Sequence, residues 1–276
     1  MEIIFWGSRG SVPCFSKQKV HFGTNTSCIE VRVPGEERIL FDAGTGIVSV
    51  GVHMERQGLN PEERIHLFFS HFHWDHIQGF PFFRPLYRKD ITVNLYGRPR
   101  ADGRKGIEEA FSKQMTDPFF PLPFEALPAN LVIVPVTDPV HLVKSVVTPF
   151  SLNHPQHCYA YVVEAEGKKL VYATDTEPDG GDMDALLIRM AEGADILVMD
   201  ANNSLEESSK RKGWGHSNWQ ECAYIAREAR VGRLILFHHD PFHDDDEVQD
   251  KQRQAQKIFP DTICAYEGLR VRIDGA

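Results

Sequence analysis

The sequence predicts an α+β fold built from two stacked mixed sheets flanked by helices. Three observations carry that reading. Short runs rich in β-branched and aromatic residues are cut by Gly, Pro and Asn, which is how strands are punctuated. Other segments space their apolar residues at helical intervals. Strand runs then give way to strand and helix alternation in two similar halves, an order that places helices over stacked sheets. The chain has 276 residues, 42% of them hydrophobic, enough for one large core or two modest ones. Neither a low-complexity linker nor a readable repeat divides it, so residues 1–276 are expected to form a single domain.

Residues 2–6, 28–33, 38–41 and 66–69 read as strands, so the first quarter is mostly sheet. Residues 46–57 have helical character, and 107–115 set charges between spaced apolar residues, again as a helix does. Residues 116–128 are different. Pro118, Pro121 and Pro123 preclude a sustained helix, while Phe119, Phe120 and Phe124 make the stretch too apolar for an idle loop. Two readings stand for it: a lid whose aromatic rings stack on a nucleobase, or apolar packing at a homodimer interface. Beyond it, residues 132–135, 146–152, 160–165 and 169–173 form a second strand-rich half. Helices are expected over 185–193 and 218–230, with strands at 196–199 and 233–237.

Composition narrows the function classes. Apolar stretches such as residues 65–69 and 234–237 are short, whereas a membrane span needs roughly 20 apolar residues in a row. Residues 1–6 read as a strand running into Gly7 and lack the basic and apolar segments of a secretory signal, so a cytoplasmic location is expected. Cys14, Cys28, Cys158, Cys222 and Cys264 are scattered and odd in number, which suggests neither a disulfide framework nor a thiolate metal knuckle. The formal net charge of -9 disfavours a long nucleic acid, whose backbone needs many Lys and Arg contacts. A small phosphorylated substrate stays open, because bound divalent ions reverse the local potential.

The 13 histidines are the compositional oddity. In Ser70-His71-Phe72-His73-Trp74-Asp75-His76, three imidazoles and a carboxylate lie within six consecutive residues after an apolar strand. Imidazole and carboxylate are the usual non-thiolate ligands of Zn²⁺, and a loop leaving a strand can aim alternate residues at one ion and the next pair at a neighbour. The spacing is H-x-H-x-D-H, and with it the sequence resembles the metallo-β-lactamase superfamily. The resemblance extends over almost the whole chain, since Asp42-Ala43-Gly44-Thr45-Gly46 is similar to the family's first motif and the others follow in order.

The resemblance implies an αβ/βα four-layer sandwich, a hydrolase activity and two divalent ions per chain, Zn²⁺ foremost with Mn²⁺ or Fe as alternatives. His154 resembles the third ligand motif, with His157 as its competitor, and Asp175 resembles the carboxylate that bridges both ions. Leu234 to Pro241 resembles the last motif, in which His238 closes the second site. Strand alternation sends adjacent side chains to opposite faces, so only one of His238 and His239 is expected to bind. His71, His73, His154 and Asp175 are thus implied for one ion, and Asp75, His76, Asp175 and His238 for the other. The run His243-Asp244-Asp245-Asp246 also looks metal-binding, but a charged stretch of this kind suits a solvated loop or a helix start.

Substrate class must come from residues beyond the ligands. Asp200-Ala201, followed by Gly213-Trp214-Gly215-His216-Ser217, resembles the ribonuclease Z and PhnP-like phosphodiesterase branch, in which an acidic residue orients a histidine that protonates the leaving alkoxide. This implies catalytic roles for Asp75, Asp200 and His216 on a small or cyclic nucleotide-like phosphodiester. On local evidence His216 equally suits a cap ahead of the following helix. The chain departs from ribonuclease Z in having Asp200-Ala201-Asn202 in place of Glu-Ala-Thr, and no long basic arm for transfer RNA is evident. Small-residue turns at 7–11 and 23–27 are similar to segments that border the family's pocket, which makes Arg9, Asn25 and Thr26, with Phe119 and Phe120 of the apolar segment, the substrate-binding candidates. The other readings are a thioester or lactam hydrolase of the same fold, a di-iron redox or oxygen-sensing protein, disfavoured because His73 stands where those sites carry Glu, and a non-catalytic ligand-binding module.

Overall fold

The central strands are apolar on both faces because each face meets a different core. In β12 (Arg233–Phe237), Leu234 and Leu236 pack toward helices, while Ile235 and Phe237 pack toward the opposite sheet. The computed structural model describes residues 1–60, 64–99 and 106–273. One sheet orders β1 (Glu2–Gly7), β2 (Cys28–Arg32), β3 (Arg38–Phe41), β4 (Arg64–Phe68), β5 (Thr92–Gly97) and β6 (Asn130–Pro135), with β14 (Arg270–Arg272) on the edge beside β1. The other runs β7 (Val140–His141), β8 (Ser145–Leu152), β9 (Cys158–Ala165), β10 (Lys168–Ala173), β11 (Ile196–Asp200), β12 and β13 (Thr262–Cys264). Both are mixed: β3 to β6 and β10 to β13 are parallel, and the remaining pairs are antiparallel.

Three apolar clusters separate four layers. Between the sheets lie Phe5, Phe41, Phe68, Tyr161, Tyr172 and Phe237, all fully buried. Outside the first sheet pack α1 (Gly46–Gln57) and α3 (Gly106–Gln114), through residues such as Ile47, Val50 and Phe111. Outside the second pack α4 (Asp182–Ala191), α6 (Trp219–Glu228) and α7 (Asp245–Gln256). This is the expected four-layer sandwich. Among the described residues, no helix is long and apolar enough to cross a membrane.

Residues 116–128 are tied down at one end. Phe124 is buried against Phe80 and Phe111, and Leu127 is buried in the same cluster. Phe120 meets Phe82 edge to face, while Phe119 is exposed. The acidic run at 244–246 is a helix start: Asp244 accepts a hydrogen bond from the Glu247 backbone N–H, and the Glu247 carboxylate accepts from the Asp244 N–H, a capping box for α7.

Candidate metal centre

The site lies where parallel strands of both sheets end, the usual place for function in sheets of this kind. Asp42 follows β3, the loop 69–73 follows β4, His154 follows β8, Asp175 follows β10, Asp200 ends β11 and His238 follows β12. Asp42, Asp175 and His238 have φ of 59°, 54° and 58°, a left-handed conformation that costs a non-glycine residue energy. Each stands within two residues of a strand end.

Among the described residues two clusters matching the expected ligand sets meet at one carboxylate, where Asp175 and His238 also group with His216. Potential donor atoms of His71, His73, His154 and Asp175 lie within 4.8 Å of one another, as do those of Asp75, His76 and His238. Asp175 faces both. Its Oδ1 lies 3.9 Å from His71 Nε2, and its Oδ2 lies 3.1 Å from His76 Nε2 and 3.4 Å from His238 Nε2. His238 Nε2 is also 3.0 Å from Asp75 Oδ2. Of the competing pairs, His239 turns away and donates from Nε2 to the Ala265 carbonyl at 3.0 Å, and His157 stands exposed outside the cluster.

The remaining ring nitrogens set the tautomers. His76 Nδ1 donates to Asp42 Oδ2 at 2.9 Å, and His154 Nδ1 donates to the Gly215 carbonyl at 3.1 Å. His71 Nδ1 lies 3.1 Å from Ser70 Oγ, which itself donates to Asp42. His73 Nε2 donates to Gln156 Oε1 at 2.8 Å. With those protons held outward, His71 Nε2, His73 Nδ1, His154 Nε2 and His76 Nε2 turn lone pairs into the clusters, the arrangement typical of metal-ligating histidines. His71 Nε2 is buried with no hydrogen-bond partner, a state that costs energy unless a cation takes the lone pair. The residues therefore fit two divalent ions.

Electrostatics separates the rings: burial opposes the charged form of His76, yet Asp175, Asp75 and Asp42 outweigh it and raise this imidazole well above its usual range. Burial pulls His71 well below the usual imidazole range, and it lowers His73 and His154 too, which keeps these rings neutral. Burial opposes ionisation of Asp75 and Asp175, yet surrounding histidines outweigh it and hold both carboxyls well below their ordinary values. Asp42, fully buried, also accepts from the Tyr172 hydroxyl at 2.8 Å, so one carboxylate ties His76, Ser70 and the opposite sheet together.

Beside the clusters, His216 Nδ1 lies 2.9 Å from Asp200 Oδ2, and its ring stacks on His238 with centroids 5.1 Å apart. Asp200 is fixed by backbone donors from Asn202 at 2.9 Å and Ser217 at 3.3 Å. Burial lowers the His216 pKa, but Asp200 and the more distant Asp175 and Asp75 outweigh it and raise it to about 9. The helix cap is Asn218, whose side chain accepts from Gln220 and Glu221. The capping alternative for His216 is thereby removed.

The substrate-contact candidates stand in varied surroundings. Arg9 is fully buried and donates to the carbonyls of Gly23, Asp240 and His243, so its guanidinium ties loops together. Asn25 donates from its amide to Glu267, and Thr26 Oγ1 accepts from Thr45 N and Gln78 Nε2; both serve the scaffold. Phe119 and Phe120 do not line the cavity beside His71 and His73. Glu207, Asp240 and His243 also cluster, but Arg211 pairs with both carboxylates and His243 Nε2 contacts Glu207, which makes an ion-pair network.

Sequence reasoning assigned no role to Ser70, Gln156 or Tyr172, nor to two glycines. A Cβ on Gly10 would stand 2.3 Å from the His238 ring, and one on Gly215 would stand 2.1 Å from His154 Nδ1. The latter also has φ of 85°. In the sequence Gly10 stands in the small-residue turn at 7–11, read as bordering the pocket, and Gly215 in the segment 213–217, read for its likeness to the phosphodiesterase branch.

A family model described as a β-lactamase superfamily domain matches residues 37–239. Ribonuclease BN of Salmonella typhimurium is 26% identical over 316 aligned positions, covering 97% of this chain and 98% of that protein. Among solved structures, the metallo-β-lactamase fold protein YhfI of Bacillus subtilis superposes with a TM-score of 0.72 at 21% identity, covering 98% of each chain. A diphosphatase of the PhnP family superposes with a TM-score of 0.71 at 19% identity, covering 99% of this chain and 98% of that one. With two seven-stranded sheets and paired His/Asp clusters at their seam, the chain belongs to the metallo-β-lactamase superfamily, as a hydrolase of that fold.

Proposed function

We propose that the protein is a dinuclear metal-dependent phosphodiesterase acting on a small or cyclic nucleotide-like phosphodiester. The carrying observation is the Asp200–His216 pair, hydrogen-bonded at 2.9 Å and stacked against His238. His71, His73, His154 and Asp175 would hold one ion, and Asp75, His76, Asp175 and His238 the other. An imidazole and carboxylate set without thiolates suits Zn²⁺, and Mn²⁺ or Fe can occupy such donors too. When bound, two such ions lower the pKa of a shared water and neutralise charge on a phosphoryl oxygen.

The chain's own groups supply the rest. Asp200 holds the Nδ1 proton of His216, which leaves Nε2 to carry a proton to the departing alkoxide. A phosphodiester needs that proton because an alkoxide is a strong base, whereas a lactam nitrogen or thiolate leaves under different demands. The net charge of -9 supports a small substrate over a long nucleic acid.

His216→Ala should retain both ions yet lose about 10²- to 10⁴-fold in kcat on a dialkyl-type phosphodiester, the usual worth of general-acid catalysis. On an activated nitrophenyl ester the loss should be far smaller, because a good leaving group needs no proton. Asp200→Asn should reproduce part of the defect by misorienting the ring. Equal losses on both ester types, with metal content measured on the same samples, would reject His216 as the acid.

A further inference from the structure

A cavity of about 560 Å³ opens beside His71 and His73. That volume falls within the range of roughly 300 to 1,000 Å³ seen for small-molecule sites. Phe72, Pro99 and Ala110 give it apolar walls, and among the described residues Arg98, Glu109 and Lys113 are the charged groups facing it. Glu109 and Lys113 pair with each other at 2.6 Å across one helical turn, so their charges cancel locally. Arg98 is different: half-buried, it lies over the Tyr159 ring with its guanidinium carbon 5.7 Å from the centroid, and it has no carboxylate partner among the described residues. In a chain of net charge -9, a guanidinium with no carboxylate partner among the described residues, steadied on an aromatic face, is suited to anchor an anion. Its planar fork matches two oxygens of a phosphate or carboxylate at once.

We propose that this cavity receives the arm of the substrate beyond the scissile phosphodiester and that Arg98 grips a second phosphate at the end of that arm. The proposal rests on the phosphodiesterase reading and names its substrate class: small phosphodiesters whose nucleoside-sized arm ends in a phosphate monoester. The Phe72 ring and Pro99 supply the apolar surface a base stacks against. Arg98 is a specificity-determining residue here, distinct from the groups that perform the hydrolysis.

The test compares a dinucleoside phosphate with and without a 5′-terminal phosphate, using full-length metal-loaded protein, with bis(p-nitrophenyl) phosphate as a separate check on phosphodiester cleavage. The phosphorylated dinucleotide should be preferred by about 10- to 100-fold in kcat/KM, mostly through KM, as expected for a charge-assisted contact made in ground and transition states alike. Arg98→Gln should bring that ratio close to one, and Arg98→Lys should restore part of it. Turnover of bis(p-nitrophenyl) phosphate together with equal kcat/KM for the two dinucleotides, or with a preference that survives Arg98→Gln, would overturn the assignment of the cavity alone. If none of the three esters is cleaved, the phosphodiesterase reading fails and takes this inference with it.

Discussion

The two sheets contribute to the centre in different ways. The first delivers His71, His73, Asp75 and His76 from one loop and the short helix α2 (Trp74–Ile77) after β4, so four donors arrive within six residues. The second delivers His154, Asp175 and His238 singly, each beyond a different strand, with Asp200 and His216 beside them. A contiguous motif can set its own local geometry through one turn of backbone. Dispersed donors depend on strand register, because β10, β11 and β12 must pair correctly to bring Asp175, Asp200 and His238 to one end of the sheet. The first half therefore encodes the site in its sequence, and the second encodes it in its topology.

The largest test of that contrast is Asp175→Ala. Its oxygens face both clusters, at 3.9 Å from His71 and 3.1 Å from His76, so both ions should be lost despite an untouched H-x-H-x-D-H loop. Activity should fall roughly 10³-fold or more, well beyond the 10- to 100-fold typical of residues that merely support a ligand. Metal analysis showing two ions in this variant would mean that the first loop is self-sufficient.

Next in size is the adjacent pair. His238→Ala should lose one ion and roughly 10²-fold or more in activity, whereas His239→Ala should keep both. The latter instead leaves the Ala265 carbonyl short of a donor, which should lower stability by about 1–3 kcal/mol. Thermal melting and metal content together read the difference, and the reverse pattern would move the ligand by one residue.

A smaller effect is expected at Asp42→Asn. That carboxylate accepts from Ser70, His76 and Tyr172, so it is the point where the two halves support each other. Metal affinity should drop about 10- to 100-fold, with Tyr172→Phe milder still. Titration with a competing chelator measures both, and an unchanged affinity in Asp42→Asn would show that the two sets of donors are held independently.

What the sequence disclosed follows the same division. Doubly buried strands such as β4 and β12 are visible as apolar runs, and the first metal motif is visible from its spacing. The edge strand β14 buries only Val271 between two exposed arginines, and β13 has three residues, so neither shows a pattern long enough to read. Helix α7 hides its inner face because one of its three buried positions is Lys251, whose ammonium caps the Ala201 and Asn202 carbonyls. The surroundings of Arg9 were hidden for a related reason. A charged residue in a glycine-rich turn reads as a ligand contact, and nothing local shows that backbone carbonyls from distant segments accept from it.

The span of the donors along the chain also bears on how the protein is made. From His71 to His238 they bracket most of the sequence, and the second cluster gains its last imidazole only once β12 has been synthesised and paired beside β11. A nascent chain halted earlier has the whole first loop and still cannot assemble the second cluster. Binding energy available to the native state alone adds to its stability and to no truncated fragment's. Ions held at both positions would therefore stabilise the finished chain and none of its shorter fragments.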